Sequence, residues 1–151
     1  WAPAPTWPTW ALLATIGAWV AVIDAITTWI PAVLAWTGWA GWIGAVVVTA
    51  LSDHTAAIRA VIATAIIFAA WMIAWLISRG GFGFSDVRIT PLWAAPAAAT
   101  GIDTIQVTVI AGLTLIALYA LIDRFRHHTT RFLPWAPSLC SGALIGLAIA
   151  H

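Results

Sequence analysis

The chain has 151 residues, of which 63% are hydrophobic and 7% are charged, and its formal net charge is +1. A water-soluble domain of this size carries about 25% charged residues, so the composition excludes a protein surrounded by water and indicates one whose partner is the lipid bilayer. The near-neutral charge gives no support for nucleic-acid binding, and the single cysteine, Cys140, excludes an internal disulfide and a four-cysteine zinc site.

Six apolar segments predict an all-α polytopic membrane helix bundle that forms a single domain over residues 1–151. The first ten residues contain three prolines and predict a short irregular lead. A bilayer span needs about 20 apolar residues, so the fourth and sixth segments are short and imply tilt, local thinning or burial against neighbours. In chain order the segments are 10–24 or a turn beyond, 32–51, 60–77, 89–99, 104–122 and 137–150.

Arginines are unevenly distributed over the connections between these segments. The second and fourth connections hold only Arg59, whereas the first, third and fifth together hold the other five arginines. By the positive-inside rule, this bias predicts that the odd-numbered connections lie in the cytoplasm and that both termini lie outside. The five arginines are Arg79, Arg88, Arg124, Arg126 and Arg131.

Two aspartates fall on the predicted cytoplasmic side, since Asp24 ends the first segment and Asp86 precedes the fourth. A carboxylate at the edge of a span is costly and is a candidate for function. If the two helices are neighbours, the carboxylates share one proton, because like charges in contact do not both ionise easily. The ionised member then activates water and the protonated member donates to a carbonyl oxygen, which is the chemistry of an aspartyl protease.

A structural interpretation of the same two residues stays open. Asp24 is then an interfacial carboxylate at a helix end, and Asp86 is an N-terminal cap that accepts free backbone N–H groups.

A metal site at His127 and His128 is less favoured than a basic loop against anionic lipid headgroups, because the neighbouring arginines repel a cation.

Two stretches around the aspartates resemble the type IV prepilin peptidases, which are membrane aspartyl proteases with a GxGD motif. In the first, Asp24 is followed seven residues later by Pro31 of an Ile-Pro pair, as in that family. In the second, "GGFGFSDVRI", Gly83 and Asp86 fit the family pattern, and Ser85 stands where the family has its second glycine. A third stretch, "LPWAPSLCSGALIGLAI", is similar to the family's last helix.

The resemblance implies that Asp24 and Asp86 are the catalytic pair, that Gly83 and Ser85 shape the turn before Asp86, and that Pro31 is structural. It implies hydrolysis of one peptide bond in a prepilin or pilin-like protein, between its basic leader and its hydrophobic helix. The site then faces the cytoplasm in a multi-pass protein of the cytoplasmic (inner) membrane, and needs neither metal nor cofactor. The short chain is similar to the compact, peptidase-only type, including the preflagellin peptidases.

Other functions stay open at this point. The serine at position 85, and Ala32 where the family has asparagine after Ile-Pro, fit a catalytically degenerate member that binds pilins without cutting them. A small carrier is a further alternative, although a carrier is expected to show internal repeats around a site at mid-membrane depth. The oligomeric state is not indicated by the sequence.

Overall fold

The computed structural model describes residues 3–78, 83–127 and 133–149, and every regular element within these ranges is helical. This confirms the predicted all-α fold. The helices, numbered here in chain order, are α1 (Ala4–Thr27), α2 (Ala32–Ser52), α3 (His54–Ser78), α4 (Phe84–Arg88), α5 (Thr90–Thr100), α6 (Ile102–His127) and α7 (Trp135–Ile149).

Helix α1 begins earlier than the proline content predicts. A 3₁₀ turn at Ala4–Thr6 leads directly into an α-helical turn at Trp7–Leu12, and a π-helical segment at Leu13–Gly17 interrupts the helix further on. The expected irregular lead is therefore wrong over the described residues. One proline lies at the second position of each opening turn, Pro5 and Pro8, where the missing N–H has no partner to lose and the fixed φ suits a helix.

In the part of the chain that the structure describes, four helices are long and apolar enough to cross a membrane: α1, α2, α3 and α6. The predicted fourth and sixth spans correspond to α5 and α7, which are shorter, with 11 and 15 residues. Helix α5 is buried from Thr90 to Ala99 by its neighbours, so it is the centre of the bundle. The long helices instead expose many large apolar side chains to the outside, such as Val47, Ile66 and Leu118, as expected for surfaces that face lipid.

Long-range hydrogen bonds fix one end of the bundle. At one end the Trp10 indole N–H donates to the Thr100 hydroxyl, and the Arg59 guanidinium donates to the carbonyl oxygen of Ala99, both over 2.9 Å. These contacts join the beginnings of α1 and α3 to the end of α5. The opposite end, where α1 finishes and α7 begins, is called here the Asp24 end.

Glycines allow the helices to approach closely at several positions. A Cβ atom added at Gly38 would lie 3.2 Å from Leu92 of α5, and one at Gly41 would lie 2.6 Å from Leu12 of α1. The tightest approach is between α6 and α7, where a Cβ atom at Gly142 would lie 2.6 Å from the Thr108 carbonyl oxygen. Helix α7 is thus held against α6 at backbone distance.

Candidate functional site

Asp24 lies one turn before the end of α1, and its side chain is only 3% exposed. Its Oδ2 atom accepts a hydrogen bond of 2.9 Å from the backbone N–H of Ala136, and the N–H of Trp135 also donates to the carboxylate. Both donors belong to the first turn of α7, whose N–H groups have no partners within the helix. The Asp24 side chain therefore caps a helix that follows more than a hundred residues later in the chain.

The local sequence after Asp24 ends α1 abruptly. Thr28 adopts the left-handed conformation, with φ of 53°, and its N–H donates to the Asp24 carbonyl oxygen over 2.8 Å. Ile30 is then buried in the core, and Pro31 takes the N-cap position of α2, where its carbonyl oxygen accepts the N–H of Ala35. Pro31 thus stands at the start of α2.

Asp86 lies in the first turn of α4, for which Gly83 is the N-cap residue. The Asp86 N–H donates to the Gly83 carbonyl oxygen over 3.1 Å, and the Gly83 N–H donates back to the Asp86 carboxylate. This resembles half of a capping box, in which an acidic side chain at the third helical position accepts the N–H of the N-cap residue. Asp86 is therefore not the N-cap of the fourth predicted helix, whose N-cap residue is Ile89, but lies inside the short helix that precedes it.

The charge of Asp24 acts on the Asp86 carboxyl. The pKa of Asp86 is raised from its ordinary value of 3.8 to about 7, chiefly because the side chain is buried and next because the negative charge of Asp24 is close to it. The hydrogen bond from the Gly83 N–H acts in the opposite direction. The two aspartates that the sequence singles out therefore lie on the same side of the bundle, near enough for the charge of Asp24 to act on Asp86.

Gly83 and Ser85 have different reasons for their small size. Gly83 has an extended conformation that any residue adopts, but a Cβ atom there would lie 2.8 Å from the Asp86 Oδ2 atom. A side chain at position 83 would therefore displace the Asp86 carboxylate. Ser85 lies inside the α4 helix, and Thr28 is the only non-glycine residue with positive φ among those described. A serine at position 85 therefore carries no backbone strain.

Two neighbours of the pair are not signalled by the sequence motifs. The Trp39 indole N–H donates to the Arg88 carbonyl oxygen over 2.9 Å, which fixes α4 against α2. The Arg88 guanidinium lies over the Phe84 ring, 5.3 Å from its centroid. The participation of the α7 N-terminus is also missed, although Pro134 and Pro137 are residues that commonly mark a helix start.

Some sequence predictions lie outside the described residues. These are Arg79, the first three residues of the "GGFGFSDVRI" stretch, His128 and Arg131; of Arg126 and His127, only the backbone is described. Within residues 3–78, 83–127 and 133–149, no three His, Cys, Asp or Glu side chains come together as a metal site requires.

Comparison of the chain with protein-family models, with curated proteins and with solved structures found no match. The likeness to prepilin peptidases therefore stays a prediction from the motifs themselves.

Proposed function

We propose that this chain is a membrane aspartyl endopeptidase that removes the leader peptide of prepilin-like proteins at the cytoplasmic face of the inner membrane. The observation that carries this proposal is the electrostatic pairing of two buried aspartates from distant parts of the chain. A buried pair of carboxylates, with the pKa of one raised towards neutrality, has the protonation states that aspartyl protease chemistry requires.

The hydrogen bonds around the pair support different roles for its two members. Asp24 accepts two N–H groups at the positive end of the α7 dipole, and such bonds favour the charged form of a carboxylate. Asp86 has a pKa of about 7 and accepts an N–H from Gly83 alone among the described backbone groups near it. We therefore assign Asp24 as the ionised general base and Asp86 as the protonated hydrogen-bond donor.

In this mechanism the Asp24 carboxylate takes a proton from a water molecule while the water oxygen attacks the scissile carbonyl carbon. The Asp86 carboxyl transfers its proton to the carbonyl oxygen, so a neutral tetrahedral diol forms. Collapse of the diol breaks the C–N bond, the proton held by Asp24 passes to the leaving nitrogen, and the Asp86 carboxylate takes back a proton from the diol. Both aspartates end in their starting states.

The distribution of charge supports a cytoplasmic orientation of the site. Among the arginines whose side chains are described, Arg88 and Arg124 lie towards the Asp24 end, whereas Arg59 is bonded to the end of α5 on the opposite side. Positive residues favour the cytoplasmic side of a bundle. A site that contains carboxylates on that side also suits a substrate with a basic leader.

A non-catalytic function has one observation in its favour. Both carboxylates accept backbone N–H groups at helix N-termini, and capping of this kind stabilises a fold without any chemistry. The second candidate is therefore a protein that binds pilin-like helices without cutting them. The same site residues serve both candidates, so only a cleavage assay separates them.

The decisive experiment is cleavage of a prepilin-like substrate in membranes by the unmutated chain and by the Asp24→Asn and Asp86→Asn variants. Loss of at least about a hundredfold in each variant is expected, because each removes one of the two proton-transfer groups. Asp103→Asn is the matched control, since Asp103 is an exposed carboxylate at the start of α6, and it should cut normally. An unmutated chain that fails to cut several such substrates contradicts the peptidase and favours the binding protein.

A further inference from the structure

An apolar groove with a volume of about 840 Å³ runs between α1 and α7 on the outside of the bundle. Five of the nine α1 residues that line it are alanines, and the lining also includes Trp7 at one end and Leu144 on α7. The alanines are Ala11, Ala14, Ala18, Ala21 and Ala25. Elsewhere the long helices expose bulky side chains such as Val47 and Ile66, so a recessed track of this kind is a distinct feature of the surface.

The five alanines lie along one side of α1, and together they are called here the alanine track. Successive members are three and four residues apart in alternation, which is the repeat that keeps positions on one face of a helix that packs against another helix. From Trp7 to Ala25 the groove follows about 27 Å of helix, close to the roughly 30 Å of a bilayer's hydrocarbon core. Small residues along a membrane helix permit a second helix to approach closely.

One end of the groove lies next to Asp24. Ala25 directly follows Asp24, and Pro137 in the opposite wall directly follows Ala136, which donates its N–H to Asp24. Asp24 and Asp86 are themselves buried, with 3% and 5% of their side chains exposed. A membrane-embedded segment that lies in the groove therefore ends one residue away from Asp24, whose carboxylate is covered by the protein.

We propose that this groove docks the apolar transmembrane helix of the substrate, with the peptide bond to be cut placed at the Asp24 end. The inference rests on the proposed peptidase function and extends it to the binding surface. The helix lies along the alanine track, its large side chains occupy the space that the alanines leave, and its polar leader emerges at the aspartates. Specificity for the substrate then depends on the shape of its helix as well as on the leader.

Docking is tested by disulfide crosslinking in lipid vesicles. The probe is a synthetic peptide with an Arg-rich leader, a 20-residue Leu/Ala helix and one cysteine at the middle of that helix. The protein carries Cys140→Ala, Asp86→Asn and a single new cysteine by Ala18→Cys or Ala40→Cys. Ala40 is an exposed alanine on α2 outside the groove, about as far from the Asp24 end as Ala18 is.

At least tenfold more crosslinking at position 18 than at position 40 is expected. Equal crosslinking at the two positions overturns the proposal. Labelling of position 18 by a photoactivatable phospholipid that the peptide does not displace also overturns it. So does a disulfide that joins two copies of the protein through position 18. Those last two outcomes identify a lipid chain or a second copy as the occupant.

A cleavage assay separates failure of docking from failure of the peptidase. In the otherwise unmutated chain, Ala18→Trp should fill the groove and reduce kcat/KM at least tenfold, whereas Ala40→Trp should leave it within twofold. Cleavage that is unaffected by Ala18→Trp overturns the docking groove and leaves the peptidase intact. Preferential crosslinking at position 18 by a chain that never cuts supports the groove and overturns the peptidase.

Discussion

The carboxylate of Asp24 accepts a hydrogen bond of 2.9 Å from the backbone N–H of Ala136, which lies 112 positions further along the chain. This one contact joins the end of α1 to the start of α7. It also means that Asp24 has a structural task, capping of α7, in addition to the chemistry proposed for it.

Substitutions at Asp24 should separate these two tasks. An asparagine side chain keeps an oxygen that accepts the Ala136 N–H. We therefore expect the free energy of unfolding of the Asp24→Asn variant to lie within about 0.5 kcal/mol of that of the unmutated chain. Alanine leaves the buried N–H groups without a partner, so Asp24→Ala should lose about 1–2 kcal/mol. Unfolding free energies in detergent measure both, and equal stability of the two variants would contradict the capping role.

The rate of cleavage should depend on the protonation of Asp86. Because its pKa is about 7, the carboxyl is protonated below that pH and ionised above it. If the protonated form donates to the carbonyl oxygen, kcat/KM should fall about tenfold for each pH unit above 7. A pH–rate profile tests this, with Asp103→Asn as the control that should keep the same profile. If kcat/KM rises steadily from pH 7 to 9, the protonated form of Asp86 is not the active form, and the roles of Asp24 and Asp86 are not those proposed.

The free energy of unfolding should also depend on this carboxyl, and it should decrease as the pH rises. The folded state holds the proton up to about pH 7, whereas an exposed aspartate releases it near 3.8. Between these values the folded state binds more protons than the unfolded state, so the free energy of unfolding decreases as pH rises, by up to about 4 kcal/mol.

The Asp86→Asn variant should lack this contribution. Its free energy of unfolding should therefore vary less between pH 4 and pH 7 than that of the unmutated chain, and at pH 8 it should be at least as stable. Unfolding in detergent at a series of pH values gives the comparison. Identical pH dependence in the two proteins would show that Asp86 is not held in a buried, proton-binding environment.

Gly83 and Ser85 should respond in opposite ways to substitution. Gly83→Ala places a Cβ atom 2.8 Å from the Asp86 Oδ2 atom, so the carboxylate has to move, and we expect cleavage to fall at least about tenfold. Ser85→Gly should change cleavage by less than about threefold, because the serine already has helical φ. A large gain from Ser85→Gly would mean that the serine does impair the site.

The contact between α6 and α7 should tolerate no side chain at Gly142. A Cβ atom there meets backbone atoms, at 2.6 Å from the Thr108 oxygen and 2.7 Å from the Gly112 nitrogen, and backbone does not move aside easily. We expect Gly142→Ala to lower the free energy of unfolding by about 1–3 kcal/mol. Gly44→Ala is the control, since no atom lies within 4 Å of its added Cβ, and alanine should stabilise the helix by up to about 1 kcal/mol.

Hydropathy predicted the apolar helices other than the short α4, and it placed Asp24 and Asp86 at the ends of segments on the same side of the bundle. It did not predict that α5 is the buried centre of the bundle, because an Ala- and Pro-rich segment such as 90–100 is apolar enough for either lipid or protein surroundings. The role of α7 was also missed. Local patterns carry no signal for a contact between a side chain and a backbone N–H more than a hundred residues away.

The bond between Asp24 and α7 also bears on biosynthesis. A membrane protein is inserted from its N-terminal side, so α1 enters the bilayer well before Trp135 and Ala136 have been made. Throughout that interval Asp24 lacks the N–H groups that stabilise it in the finished fold. The aspartate pair therefore reaches its described geometry only after α7 has joined α1. A nascent chain interrupted before α7 carries an uncapped carboxylate in an apolar helix, which distinguishes it from the completed protein.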